Sequence, residues 1–255
     1  NYFRKILEEH DIRVDGSRPW DISIINSKLF NRVFFNGSMG LGESYMDGWF
    51  ECQRLDLFFE KIFSAGLDTR YGKLQYQLSS IVSRLINLQS ISRSFIVGEK
   101  HYDIGNDLFS LMLDTRMLYT CGYWPENVSN LEESQKSKLD LVANKINLKP
   151  GMKVLDLGCG WGGAAKYFAE SYDVKVIGNT ISKEQYLYAK ESCAGLDVEI
   201  LLMDYRDLKE QFDAIYSIGM FEAVGFQNFR KYFQSVDKCL KDDGVFLLHT
   251  IGVDK

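Results

Sequence analysis

No stretch of this 255-residue chain approaches the roughly 20 consecutive apolar residues that a membrane-spanning helix needs. The N terminus shows neither a signal-peptide core nor a starting methionine, so a soluble protein is expected, with Asn1 marking a trimmed start. Cysteine is sparse and poorly spaced for structural use. Cys52, Cys121, Cys159, Cys193 and Cys239 form an odd set with no C-x-x-C pair, which argues against both a disulfide framework and a zinc site. A reducing cytoplasm is the natural compartment. A strong charge of one sign is also missing. The net charge of -5 opposes broad binding to nucleic acid or anionic lipid, so any membrane contact has to be local. What is there, 45% apolar and 25% charged residues, is ordinary globular composition, and the length allows one large domain or two small ones.

The most informative stretch is Lys153-Val-Leu-Asp-Leu-Gly-Cys-Gly-Trp-Gly-Gly163, an apolar strand that ends in an acid and empties into glycines. Gly158, Gly160 and Gly163 satisfy the G-x-G-x-x-G pattern of dinucleotide sites. A nicotinamide site also wants an acid about 20 residues on, at the end of the second strand, to hold the ribose. Here that strand, expected over 174–178, runs into Asn179-Thr-Ile-Ser182 and offers no carboxylate. The acid that is present, Asp156, stands just before the first glycine. That placement fits a ligand with an ammonium at its amino-acid end and a sulfonium rather than a pyrophosphate, which describes S-adenosylmethionine (SAM). The run resembles the first signature of class I SAM-dependent methyltransferases.

From residue 151 onward, strand and helix signals alternate as in a doubly wound α/β sheet. Strands are expected over 153–157, 174–178, 198–202, 212–217 and 244–250. Helices are expected over 164–170 and from Ser182, where Ser182 and Gln185 have capping-box spacing. The methyltransferase sheet has further strands after these, so the sheet is expected to lack its last strands and Lys255 not to be the natural C terminus. Its open edge is then a liability that other residues or a partner chain would cover. Residues 1–65, with the segment Gly37-Ser-Met-Gly-Leu-Gly-Glu-Ser-Tyr-Met-Asp-Gly-Trp-Phe50, have a different texture and are expected to form a small domain. A helical linker is expected over 66–98, where Ile81, Leu85, Leu88, Ser92 and Phe95 follow helical spacing beside Arg84 and Arg93. A catalytic domain would follow over 99–255.

Four more stretches sharpen the resemblance: His101-Tyr-Asp-Ile-Gly-Asn-Asp107, Leu118-Tyr-Thr-Cys-Gly-Tyr-Trp124, Gly219-Met-Phe-Glu-Ala-Val-Gly225 and Leu247-Leu-His-Thr-Ile-Gly252. Together the motifs resemble the cyclopropane-fatty-acyl-phospholipid synthases over essentially the whole chain. The Gly-rich N-terminal segment favours that branch over the related mycolic acid synthases. The resemblance implies a class I fold with a small N-terminal lipid-associated domain. It implies methylene transfer from SAM to a cis double bond of a phospholipid acyl chain, at the cytoplasmic face of a membrane, by an enzyme that forms a homodimer. It places Tyr119, Thr120, Gly158, Gly160, Thr180, Gln185, Tyr205 and Arg206 around SAM, with Asp156 and Asp204 as further candidates, and His101 and Asp103 at the acyl entrance.

The chemistry agrees with the resemblance. An alkene is a poor nucleophile and attacks a sulfonium methyl only when both are held in line away from water. The resulting cation becomes a cyclopropane by losing a proton from the new methyl, which requires a base beside the reacting carbon, and aromatic faces can steady the cation meanwhile. The resemblance implies that this base is a bound bicarbonate, held by the backbone amides of Cys121 and Ile251 and by the side chains of Glu222 and His249. Ionised Glu222 would accept from the bicarbonate hydroxyl, and His249 would donate to its oxygens. The Cys121 side chain is expected to be a packing group with no paired base beside it. Two departures from the family pattern stand out: Ala223 where a histidine is usual after the glutamate, and a bicarbonate-pocket tyrosine that falls beyond Lys255. They keep two other readings open: a SAM methyltransferase acting without ring closure, and an inactive SAM- or lipid-binding module.

Overall fold

The computed structural model describes residues 2–67 and 106–252. The chain divides into two compact units, Asn1–Ile86 and Asn87–Lys255. Apart from Gly66 and Leu67, the expected linker lies outside the described residues, as do His101 and Asp103.

The first unit comprises α1 (Tyr2–Glu9), β1 (Ser23–Ile24), α2 (Leu29–Met46), β2 (Phe50–Glu51) and α3 (Leu55–Ser64). Much of the Gly-rich segment is helical. Within α2 only Gly37 departs from helical geometry, at φ 55° and ψ -136°, a conformation that only glycine enters readily. β1 pairs antiparallel with β2 over a core that fully buries Leu7, Ile12, Ile22, Leu29, Phe50 and Phe58. Asp21 ties the preceding loop together. It accepts from the amides of Arg13 (2.7 Å) and Arg18 (3.0 Å) and from the Arg18 guanidinium (2.8 Å). Against the upward push of burial, these donors hold its carboxyl down at about 2.

The second unit runs α4 (Asn106–Met112), α5 (Leu131–Lys145), β3 (Lys153–Leu157), α6 (Gly163–Tyr172), β4 (Lys175–Thr180), α7 (Lys183–Ser192), β5 (Val198–Leu202), β6 (Phe212–Ile218), α8 (Phe229–Cys239) and β7 (Leu240–His249). The strands form one parallel sheet in the order β5-β4-β3-β6-β7. β4 continues past the expected end because Thr180 still pairs with Leu202 of β5. β7 begins earlier than expected: Leu240 already pairs with Phe212, and a register shift then absorbs the polar run Lys241-Asp-Asp-Gly244 before Val245 pairs with Ala214.

Alternate side chains feed the two faces of this sheet. Val154, Val176 and Ala214 pack with Leu139 and Val142 of α5 and Phe168 of α6. Leu155, Ile177 and Ile215 pack on the other face with Tyr232 and Val236 of α8. The order reverses between β3 and β6, and an open α/β sheet places its ligand crevice outside the strand C termini at such a switch point.

Candidate active site

A cavity of about 170 Å³ opens there. Its walls include Tyr119, Thr120, Asp156, Gly158, Gly160, Thr180, Gln185, Asp204, Tyr205 and Arg206, so the residues expected around SAM come together in one place. Asp156, near the end of β3, is 3% exposed, and its Oδ2 has no hydrogen-bond partner. Burial pushes its carboxyl up to about 7, and the nearby Tyr216 hydroxyl offsets this only in part. Beyond it the chain turns through Gly158 (φ 85°) and Gly160 (φ 54°), in the left-handed region that glycine tolerates. A Cβ on Gly158 would lie 2.8 Å from that of Met220, while the space over Gly160 is open as far as Gln185 Nε2, 4.0 Å away. A bare backbone turn beside an unpaired buried acid fits a ligand bearing an ammonium group.

Asn179 locks this turn. Its Oδ1 accepts from the Gly158 amide (3.2 Å), its carbonyl accepts from the Cys159 amide (2.9 Å), and its Nδ2 donates to the Met203 carbonyl (3.2 Å). In the sequence Asn179 is legible only as a position lacking a carboxylate. Ser182 caps α7 as expected by accepting from the Gln185 amide at 3.2 Å. The Ser182 amide donates to Thr180 Oγ1 (3.2 Å), and Thr180 in turn donates to Gln185 Oε1 (2.9 Å), which leaves the Gln185 amide group directed at the cavity.

Asp204 is buried and forms a two-pronged pair with Arg206, Nε to Oδ1 at 2.7 Å and Nη2 to Oδ2 at 2.6 Å, so it is not a solvated loop acid. Tyr205 packs edge-on against Tyr232. Tyr119 stands half exposed against Phe109 and Trp161, and the Trp161 indole is fixed by Asn106 (2.8 Å). Trp161 lines the cavity but passes in the sequence as part of the glycine run.

The second group, Cys121, Glu222, His249 and Ile251, is also assembled, and it adjoins this wall along the chain. Cys121 follows Thr120, and Glu222 precedes Ala223, both of which line the cavity. The Ile251 amide donates to Glu222 Oε1 at 2.7 Å, so this amide, expected to face an anion, is engaged by the glutamate itself. The physical reason is that an ionised carboxylate is the nearest strong acceptor for the exposed amide. Burial pushes the Glu222 carboxyl up, but hydrogen bonds from its own amide, the Ile251 amide and the Thr250 side chain bring it below its ordinary value. Cys121 Sγ lies 3.8 Å from His249 Nε2, which corrects the expectation that no base stands beside the thiol. His249 Nδ1 is buried without a partner. Burial, followed by the charge of Lys138, holds the imidazole below its ordinary value and therefore neutral at pH 7. Among the described residues the Cys121 amide makes no hydrogen bond. An ionised acceptor, a neutral imidazole and a free amide fit a small protonated oxyanion such as bicarbonate. Ala223 lies in the wall of the cavity lined by Asp156 and Gly158.

A family model described as mycolic acid cyclopropane synthetase matches residues 89–255. The chain is 54% identical over 259 aligned residues to the cyclopropane-fatty-acyl-phospholipid synthase of Escherichia coli strain K12, which covers 100% of this chain and 68% of that enzyme. Among solved structures it resembles the cyclopropane synthase MmaA2 from Mycobacterium tuberculosis, with 39% identity, a TM-score of 0.59, and coverage of 61% of this chain and 56% of that one. It also resembles the mycolic acid cyclopropane synthase CmaA1, solved with SAH and CTAB, at 37% identity and a TM-score of 0.58, over 60% of this chain and 55% of that one. The chain therefore spans about two thirds of the E. coli enzyme and little more than half of the mycobacterial structures. Sheet order, glycine turn and likeness agree, and the chain belongs to the mycolic acid cyclopropane synthetase family of SAM-dependent methyltransferases.

Proposed function

We propose that this enzyme adds a methylene from SAM across a cis double bond of a phospholipid acyl chain, giving a cyclopropane and S-adenosylhomocysteine, with bicarbonate as the base. The observation that carries the reading is the adjacency of two sites. A cavity with an unpaired buried acid shares its wall, through Thr120–Cys121 and Glu222–Ala223, with a cluster suited to an oxyanion. SAM supplies an electrophilic methyl group. Asp156 would hold its ammonium, Gly158 and Gly160 would give it backbone approach, and Gln185 would offer a neutral donor.

At the second site Glu222 stays ionised and can accept a bicarbonate hydroxyl, while the Cys121 amide and His249 can donate. Because the Ile251 amide already donates to Glu222, an anion using that amide has to share or displace the carboxylate. The bicarbonate so held would take the proton that ring closure releases.

The enzyme is further proposed to work at the cytoplasmic face of a membrane, with residues 1–65 as its lipid-associated domain, 66–98 as a linker and 99–255 as the catalytic domain. In support, Phe34, Phe35 and Met39 stand 69–76% exposed on α2. No helix among the described residues is long and apolar enough to cross a membrane. A homodimer is proposed on the resemblance alone. The test is mass spectrometry of phospholipids from cells expressing the protein. Acyl chains gaining one CH₂ and resisting alkene hydrogenation, in a bicarbonate-dependent reaction lost in Glu222→Ala, are expected. Methylated acyl chains that remain hydrogenatable would instead establish transfer without ring closure.

A further inference from the structure

α5 presents a polar surface where an ordinary helix would bury leucines. Ser134, Gln135 and Lys138 are all 4% exposed or less and share one face by their spacing. This face grips residues 118–123, which form neither helix nor strand and whose backbone groups need partners from outside. Gln135 Nε2 donates to the carbonyls of Leu118 (3.3 Å) and Thr120 (2.8 Å), and the Tyr123 amide donates to the Ser134 carbonyl (3.0 Å). Lys138 Nζ donates to Thr120 Oγ1 at 2.8 Å. Thr120 then presses its methyl onto Gly219, where an added Cβ would lie 2.3 Å away, and the Gly219 amide donates to the His249 carbonyl (3.0 Å). One run of contacts thus links Lys138 to both sides of the Cys121–His249 pair.

The charge on Lys138 is not explained by gripping alone, because a neutral donor would hold Thr120 as well. Among the described residues its ammonium has no ion pair, and a buried ammonium served by a hydroxyl is costly to the fold. Burial pulls the group down to about 8, while the nearby Asp114 carboxylate opposes this, so it remains mainly protonated at neutral pH. Asp114 is engaged elsewhere, accepting from the Leu118 amide (2.8 Å) and lying 3.6 Å from Arg116. The ammonium is within electrostatic reach of both Cys121 and His249.

We propose that Lys138 is a positioning residue of the oxyanion site: it fixes Thr120, and with it the Cys121 amide, and supplies the positive charge that draws bicarbonate to Cys121, Glu222 and His249. The proposal rests on the reading of that cluster as the bicarbonate site.

The test compares the parent protein with Lys138→Met and Lys138→Arg in buffer freed of CO₂ and titrated with bicarbonate, measuring cyclopropane formation and, separately, S-adenosylhomocysteine binding by calorimetry. For Lys138→Met, half-saturation by bicarbonate should rise at least tenfold and kcat should fall, with S-adenosylhomocysteine affinity within about fivefold of the parent and thermal stability equal or higher. Lys138→Arg should recover much of the bicarbonate response, which a purely structural role would not predict. If the parent responds to bicarbonate and Lys138→Met responds identically, the proposal is overturned while the bicarbonate reading stands. If the parent makes cyclopropane without any response to bicarbonate, that reading falls and the proposal with it.

Discussion

Asp156 offers a direct test of the cofactor site. Its carboxyl is raised from 3.8 to about 7 by burial, and at 1.36 kcal/mol per unit the ionised form is disfavoured by about 4 kcal/mol in the free protein. A carboxyl whose folded value exceeds its unfolded one destabilises the fold when ionised, so the penalty is absent below pH 4, grows between 4 and 7 and is complete above 7. Asp156→Asn removes the ionisation. At pH 8 the unliganded variant should melt higher than the parent by about 5 °C, after allowing for the cost of an unpaired buried amide, and at pH 4 the two should differ little. Ligand binding reverses the sign, because an ammonium beside Asp156 favours the carboxylate. Affinity of the parent for S-adenosylhomocysteine should therefore strengthen about tenfold per unit from pH 5 toward 7, with nearly one proton released on binding at pH 6. Calorimetry at pH 6 in two buffers of different ionisation enthalpy measures that proton directly. In Asp156→Asn the affinity at pH 7 should be weaker by about a hundredfold and flat with pH, in line with about 3 kcal/mol of lost charge pairing. Binding by the parent without proton release, together with unchanged affinity in the variant, would refute the pairing of Asp156 with the ligand ammonium.

Glu222→Gln should lower cyclopropane formation by about 10²–10⁴-fold while S-adenosylhomocysteine affinity, measured by calorimetry, stays within about threefold, because the carboxylate serves the second site and not the cavity. Cys121 is exposed whereas Cys159, Cys193 and Cys239 are buried, so a thiol reagent followed by peptide mass spectrometry should label Cys121 well before those three. Cys121→Ser should retain turnover within about tenfold, since its proposed contribution is the backbone amide. In the N-terminal unit, Asp21 has its carboxyl held down at about 2, so the stability it gives is present above pH 4 and is lost as pH falls from about 4 to 2. Acid unfolding followed by circular dichroism should show Asp21→Asn already weakened at pH 7 and less sensitive to acid across that window.

Much of the second unit's fold is written in short-range pattern. β3 and β5 coincide with the expected strands at both ends, and β6 extends its expected span by one residue, because each is an apolar run bounded by turn residues. The misjudged boundaries are those set by a neighbour rather than by local composition. The start of β7 is hidden by Lys241-Asp-Asp-Gly244, which reads as a turn, and only pairing of Leu240 with Phe212 across the sheet reveals a strand. The Gly-rich part of α2 poses the same problem, since glycine opposes helix locally and burial of Leu29 and Leu41 in the unit's core overrides it.

The active site divides along the same line. Asp156, Gly158 and Gly160 are legible because one strand and its turn create their whole role, and a run of five residues carries it. Gln135 and Lys138 are not, because in sequence they look like two more polar residues on a charged helix; their meaning comes from facing an irregular segment more than ten residues away. The Glu222–Ile251 contact joins positions 29 residues apart. It also shows what a motif cannot encode: two groups expected to serve a third can first satisfy each other. The Ile251 amide and the Glu222 carboxylate are thus paired before an anion arrives, while His249 Nδ1 is left without a partner. The anion must then compete with a charge-assisted hydrogen bond, so its affinity depends on whatever positive charge stands behind the cluster. Lys138 is placed to supply that charge.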